Sequence, residues 1–103
     1  MADYKIDFAA LPWHERVGAR SKTVVLGRRR LRLAEFTQAF EDPEWCAKAH
    51  IGYVLEGEVE IDFSGKVDSF KAGDGIFIPG GEGSKHRLKV VSPKALLILV
   101  EEA

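Results

Sequence analysis

Along the chain, apolar residues come in short runs punctuated by Gly, Pro, Asp and Ser, and no window keeps a helical period for more than about two turns. The pattern predicts β-structure, with strands over 23–26, 30–40, 45–55, 58–63, 66–70, 75–78, 86–91 and 94–100. Val59, Ile61 and Phe63 alternate with Glu58, Glu60 and Asp62, the signature of a strand with one buried and one wet face. Positions 95–100 are apolar throughout, which predicts a heavily buried central strand, covered on both faces or meeting another subunit on one. In 30–40, Leu31 and Leu33 share one parity and Phe36, Gln38 and Phe40 the other, so a bulge is expected near Ala34. Glu41-Asp42-Pro43-Glu44 ends that strand, because proline cannot donate to a ladder, while Glu56-Gly57 and Ser64-Gly65 supply hairpin glycines. Eight strands in a short chain suggest a barrel or sandwich. Residues 1–22 hold Phe8, Leu11, Pro12 and Trp13 without a period, and are expected to form an arm packed on the barrel or on a dimer partner, leaving 23–103 as the barrel domain.

Composition narrows the function classes. With 103 residues, 46% of them hydrophobic, the chain can bury one core without staples. The single cysteine, Cys46, excludes an internal disulfide, and no signal-peptide or membrane-spanning apolar stretch is present, so a reducing, cytoplasmic setting is expected. A net charge of -1 points to neither nucleic acid nor a membrane as partner. Small-molecule binding, catalysis and association between copies stay open. The run Arg28, Arg29, Arg30 and Arg32 would place Arg28, Arg30 and Arg32 on one strand face, where they either protect an edge by charge or bind a phosphate or carboxylate.

Three stretches carry the candidate chemistry: Glu44-Trp45-Cys46-Ala47-Lys48-Ala49-His50, Tyr53-Val54-Leu55-Glu56-Gly57-Glu58, and Gly73-Asp74-Gly75-Ile76-Phe77-Ile78-Pro79-Gly80-Gly81. Together they resemble the cupin superfamily, whose first motif runs His-x-His, Glu, then a hairpin Gly, and whose second runs Gly, Pro-x-Gly, then His. Gly57 matches the end of the first motif, and Gly73, Pro79 and Gly81 match the second. The resemblance implies an all-β double-stranded β-helix, or jelly-roll barrel, with a site in its interior. Counting back from Gly57, His50 stands at the family's Glu, Cys46 at its second His and Glu44 at its first. The last His of the pattern falls at Ser84, and this chain carries His86 two residues on.

The resemblance thus implies a metal site of Cys46, His50 and His86, with Glu44 as a fourth ligand or a catalytic base. Glu44, Cys46 and His50 share parity, but on a straight strand Cys46 and His50 would lie roughly 13 Å apart, too far for one ion at about 2.0–2.3 Å from each donor. The segment must bend, and Ala47 and Ala49 are small enough to allow it. Thiolate and imidazole favour Zn, and secondarily Fe or Cu, over Mg or Ca. On the other reading, Cys46 is a small buried hydrophobe, His50 a hydrogen-bonded pocket residue and His86 a strand residue at a loop exit. Tyr53 is a candidate for orienting a substrate, and Lys48 and Trp45 for lining its pocket. His14 reads as a solvated arm residue. A homodimer is expected, through the 96–100 run and the Trp13 arm.

Overall fold

The structure is a computed structural model that describes residues 4–42 and 44–103. Pro43, read above as a strand breaker, lies outside the described residues. Among those residues nine strands form: β1 (His14–Arg16), β2 (Ala19–Leu26), β3 (Arg29–Thr37), β4 (His50–Glu56), β5 (Glu58–Phe63), β6 (Lys66–Lys71), β7 (Gly75–Ile78), β8 (Arg87–Val90) and β9 (Lys94–Glu102). They make two antiparallel sheets, one of six strands in the order β1-β2-β3-β9-β4-β7 and one of three in the order β6-β5-β8, which face each other as a jelly roll. Ala34, Phe36, Val54, Val59, Ile61, Ile76, Ile78, Val90, Ala95, Leu97 and Leu99 fill the space between them.

Alternation decides which residues enter that core. On β9, Ala95, Leu97, Leu99 and Glu101 are buried, whereas Leu96, Ile98 and Val100 on the other parity are only half-buried. The strand is central, as its apolar run predicts, but only its inner face is fully covered. The β5–β6 hairpin closes through Ser64 and Gly65, both at positive φ (58° and 105°), as a two-residue turn of the right twist requires.

Three expectations are corrected. No bulge interrupts β3: it pairs with β2 and β9 in unbroken register from Arg29 to Thr37. The parity change arises because Arg30 and Arg32 point inward along with Ala34 and Phe36, while Leu31 and Leu33 point outward. The bulge of the large sheet lies instead in β4, between Val54 and Glu56. Nor is β3 an edge strand, so its arginines do not guard one. Finally, sheet structure starts before Thr23: residues 14–16 and 19–22 already pair in the large sheet. Ahead of them, the arm packs on the barrel's own outer face, where Lys22 Nζ donates to the Phe8 carbonyl at 2.6 Å and lies over the Trp13 ring.

Candidate metal centre

The inner face of the large sheet is built in rows across the strands. β9 lies between β3 and β4, so Arg30 sits opposite Glu101, and His50 starts β4 one position beyond the Ile51–Val100 pair, opposite Ile78 on β7. One row therefore holds Arg30, Glu101, His50 and Ile78. The next row holds Arg32, Leu99, Gly52 and Ile76, and the one beyond it, through Ala34, Leu97 and Val54, is apolar. The barrel interior is polar at one end and closed by hydrophobic side chains at the other, around a cavity of about 430 Å³.

Cys46 and His86 arrive from outside the regular strands. They form an isolated antiparallel bridge and exchange both backbone N–H···O bonds, each 2.9 Å. Directly opposed residues of such a pair project side chains to the same side. Between Cys46 and His50 the backbone is irregular, and the chain enters β4 only at His50, which is the bend that the ligand spacing demanded. Gly81 N–H donates to the Ala47 carbonyl at 2.8 Å and has φ 112°, a value that favours glycine, so the second motif props the bend of the first.

The outcome is a compact donor set. One ligand atom each from Cys46, His50 and His86 lies within 4.8 Å of the others. Cys46 Sγ is 3.5 Å from His50 Nε2. A tetrahedral ion bonded at about 2.3 Å to sulfur and about 2.0 Å to nitrogen would separate those donors by about 3.5 Å, so this edge already has the required length. The two imidazoles meet edge to face, with centroids 4.9 Å apart.

Each imidazole is fixed from behind. His86 Nδ1 lies 3.1 Å from the Ser84 carbonyl, which leaves Nε2 for the site. His50 Nδ1 is buried and lies 2.6 Å from Glu101 Oε2, without the alignment of an in-line hydrogen bond. Glu101 in turn accepts from Nε and Nη2 of both Arg30 and Arg32, at 2.9–3.2 Å. Burial alone would raise the Glu101 pKa, but His50 and Arg32 outweigh it and hold the carboxyl well below the usual carboxylate range. Burial pushes the His86 pKa down, opposed by its bond to Ser84, and so favours the neutral ring that a metal needs.

The remaining sequence candidates lie apart from this cluster. Lys48 lines the cavity from the bend. Glu44 is exposed and outside the donor set. Trp45 lies under the Arg87 guanidinium, 4.8 Å from ring centroid to Cζ, and does not line the cavity. Tyr53 has the opposite parity to His50 on β4 and is exposed on the outer face. His14, on β1, is exposed at the cavity rim. Glu101 was missed in the sequence, as was the use of Arg30 and Arg32 to hold it. The available signal was parity, since Glu101 continues the series Ala95, Leu97, Leu99 into the core.

The match to known proteins agrees with this architecture. Residues 42–100 match the family model of the cupin domain, and the chain belongs to that family. No curated protein sequence matches it. Among solved structures it is similar to an RmlC-like cupin from Shewanella frigidimarina NCIMB 400 (TM-score 0.78, 16% identity, 98% of this chain and 91% of that one). It is also similar to KdgF from Halomonas sp. (TM-score 0.78, 20% identity, 99% and 94%) and to the polyketide cyclase RemF from Streptomyces resistomycificus (TM-score 0.76, 18% identity, 98% and 80%). At these identities the likeness is one of fold. Cupins typically bind a metal, and the Cys46, His50 and His86 donors fit one.

Proposed function

We propose that this cupin binds a divalent metal ion, zinc before iron or copper, through Cys46, His50 and His86, and that it binds and acts on a small molecule in the adjoining cavity. The observation that carries this reading is the 3.5 Å Cys46 Sγ to His50 Nε2 edge, backed by the buried Glu101 contact that turns Nε2 toward the sulfur. Three protein donors leave one position of a tetrahedral ion open, the arrangement of catalytic rather than structural sites. An ion held there would polarise a carbonyl or lower the pKa of a water. The chain's own residues do the rest: Glu101 orients the His50 ring through its contact at Nδ1, Ser84 fixes the tautomer of His86, and the apolar row keeps water from the closed end of the cavity.

The test is the metal content of protein purified without added metal or chelator, beside a His50→Ala, His86→Ala double variant. Near-stoichiometric zinc that disappears in the variant is expected. Protein that holds no metal and takes none up on reconstitution overturns the reading. It would favour the second one, a metal-free ligand-binding or sensor module, in which the Cys46 to His50 contact is a thiol–imidazole hydrogen bond.

The outer face of the large sheet supports a homodimer. Leu31, Val100, Ile51 and Phe77 lie in register across four strands, with Leu33, Ile98 and Tyr53 in the next row. Phe77 is 77% exposed. An apolar band of this kind rimmed by polar residues marks an association surface. Light scattering at micromolar concentration is expected to give twice the chain mass for the native protein and the single mass for Phe77→Glu, and a monomeric native protein refutes the proposal.

A further inference from the structure

We infer that the small molecule taken by this cavity is an organic oxyanion, bound through its carboxylate or phosphate group by the free edges of Arg30 and Arg32 with help from Lys48. The inference deepens the function proposed above and rests on its choice of cavity, but not on the metal. Five cations, Arg16, Arg20, Arg30, Arg32 and Lys48, line the cavity against two carboxylates, Asp42 and Glu101, so its wall is net positive although the whole chain is net -1. Arg20 adds nothing, because it is paired with Glu35 at 2.8 Å.

The excess is concentrated beside the donor set. Two guanidiniums share the single carboxylate of Glu101, which leaves one positive charge uncompensated. Each uses only Nε and Nη2 on it. A guanidinium has five N–H donors, so Nη1 of both arginines remains to be satisfied by water or a ligand. Their side chains are 31% and 24% exposed, within reach of a molecule in the cavity, and they are held rigid by Glu101. A preorganised pair of planar donors with a spare charge is suited to a planar or tetrahedral oxyanion. Lys48 is exposed on the cavity wall and makes no ion pair within 4 Å among the described residues.

The experiment is calorimetric titration of the full-length chain, both metal-free and zinc-loaded, at low salt. The probes are L-malate and glycerol 3-phosphate, with malamide and glycerol as their neutral counterparts. At least one anion is expected to bind the metal-free protein, with its neutral counterpart at least about tenfold weaker, and the tighter anion identifies the group. Lys48→Gln is expected to weaken that anion about threefold to fivefold with the Tm unchanged, and raising the salt should weaken it further. Equal binding of an anion and its neutral counterpart, or no anion binding at up to about 10 mM, overturns the inference whether or not zinc is held. Anion binding by a chain that takes up no metal on reconstitution sustains it and overturns the metal reading alone.

Discussion

Removal of the Glu101 carboxylate is expected to damage the protein in two separable ways. Its side chain is 2% exposed, accepts four hydrogen bonds from Arg30 and Arg32, and lies against His50 Nδ1. Glu101→Ala leaves two guanidiniums and an imidazole facing one another with no counter-charge. Breaking a buried pair by deleting one partner costs about 3–5 kcal/mol. The two arginines are 31% and 24% exposed, so water recovers part of that, and a loss of about 2–3 kcal/mol is expected. For a domain of this size the Tm should fall by roughly 10–20 °C. With His50 holding zinc as proposed, loss of the partner behind its ring should also weaken zinc by about 10–100-fold. Urea unfolding of the metal-free protein reads the first effect, and competition with a chromophoric chelator reads the second. A metal-free variant within about 0.5 kcal/mol of the native protein would refute the electrostatic reasoning. Destabilisation with native zinc affinity would refute the positioning of His50 alone.

Acid should destabilise the metal-free protein through two groups of the same sign. Glu101 is depressed in the folded state, so its contribution is complete above the unfolded carboxyl value of about 4.3 and is lost as pH falls below it. His86 is also depressed, so its contribution is complete above about 6.5 and declines from there downward. The urea midpoint should therefore begin to fall near pH 6.5 and fall more steeply below about 4.5; a flat midpoint between these values would contradict the His86 shift, and no steepening below about 4.5 would contradict that of Glu101. Cys46→Ser should abolish the sulfur-to-metal charge-transfer band of cobalt-loaded protein while preserving the fold, since the backbone bridge to His86 does not use the thiol. Gly52→Ala should cost about 3 kcal/mol or more by urea unfolding, because its Cβ would lie 2.1 Å from the Ile98 carbonyl oxygen and would force β4 from β9. An unshifted unfolding curve would mean the two strands do not pair so closely.

What the sequence disclosed and what it hid divide along one physical line. Period and turn chemistry are local, and they identified most of the strands, the barrel and the hairpin at Ser64-Gly65. The bend between Cys46 and His50 was also expected, because one ion could not reach both donors across a straight strand. Register is not local. Whether Arg30 faces the core depends on a partner 71 residues away, and without the β3–β9 pairing its inward parity looked like a bulge. Glu101 was hidden for the same reason. A carboxylate ending an apolar run reads as a solvated strand end until both neighbouring strands are known. Tyr53, expected to orient a substrate, and Trp45, expected to line its pocket, are turned from the cavity by strand parity and by the Arg87 contact.

The location of Glu101 follows from an exchange within the cupin motif. The family pattern sets one Glu among histidines, whereas here His50 stands at the Glu position and Cys46 at a His position. With Cys46 bound as thiolate, the proposed donor set would still hold one anion among neutral imidazoles, so a divalent ion would keep the same net charge. That anion would be soft sulfur, which would move preference toward Zn and Cu and away from Mg and Mn. A histidine at that position brings a buried Nδ1 that a carboxylate lacks, and Glu101 on β9 is placed to meet it. Burying Glu101 against one imidazole alone would be costly, and Arg30 and Arg32 supply the compensating charge. Reversing the exchange tests this dependence. Cys46→His with His50→Glu should lose its zinc preference in metal competition and, by setting a second carboxylate against Glu101, should unfold at lower urea than the native protein. Adding Glu101→Gln should then restore stability, although the same change destabilises the native background. A double variant as stable as the native protein with Glu101 intact would show that Glu101 is not matched to the histidine before it.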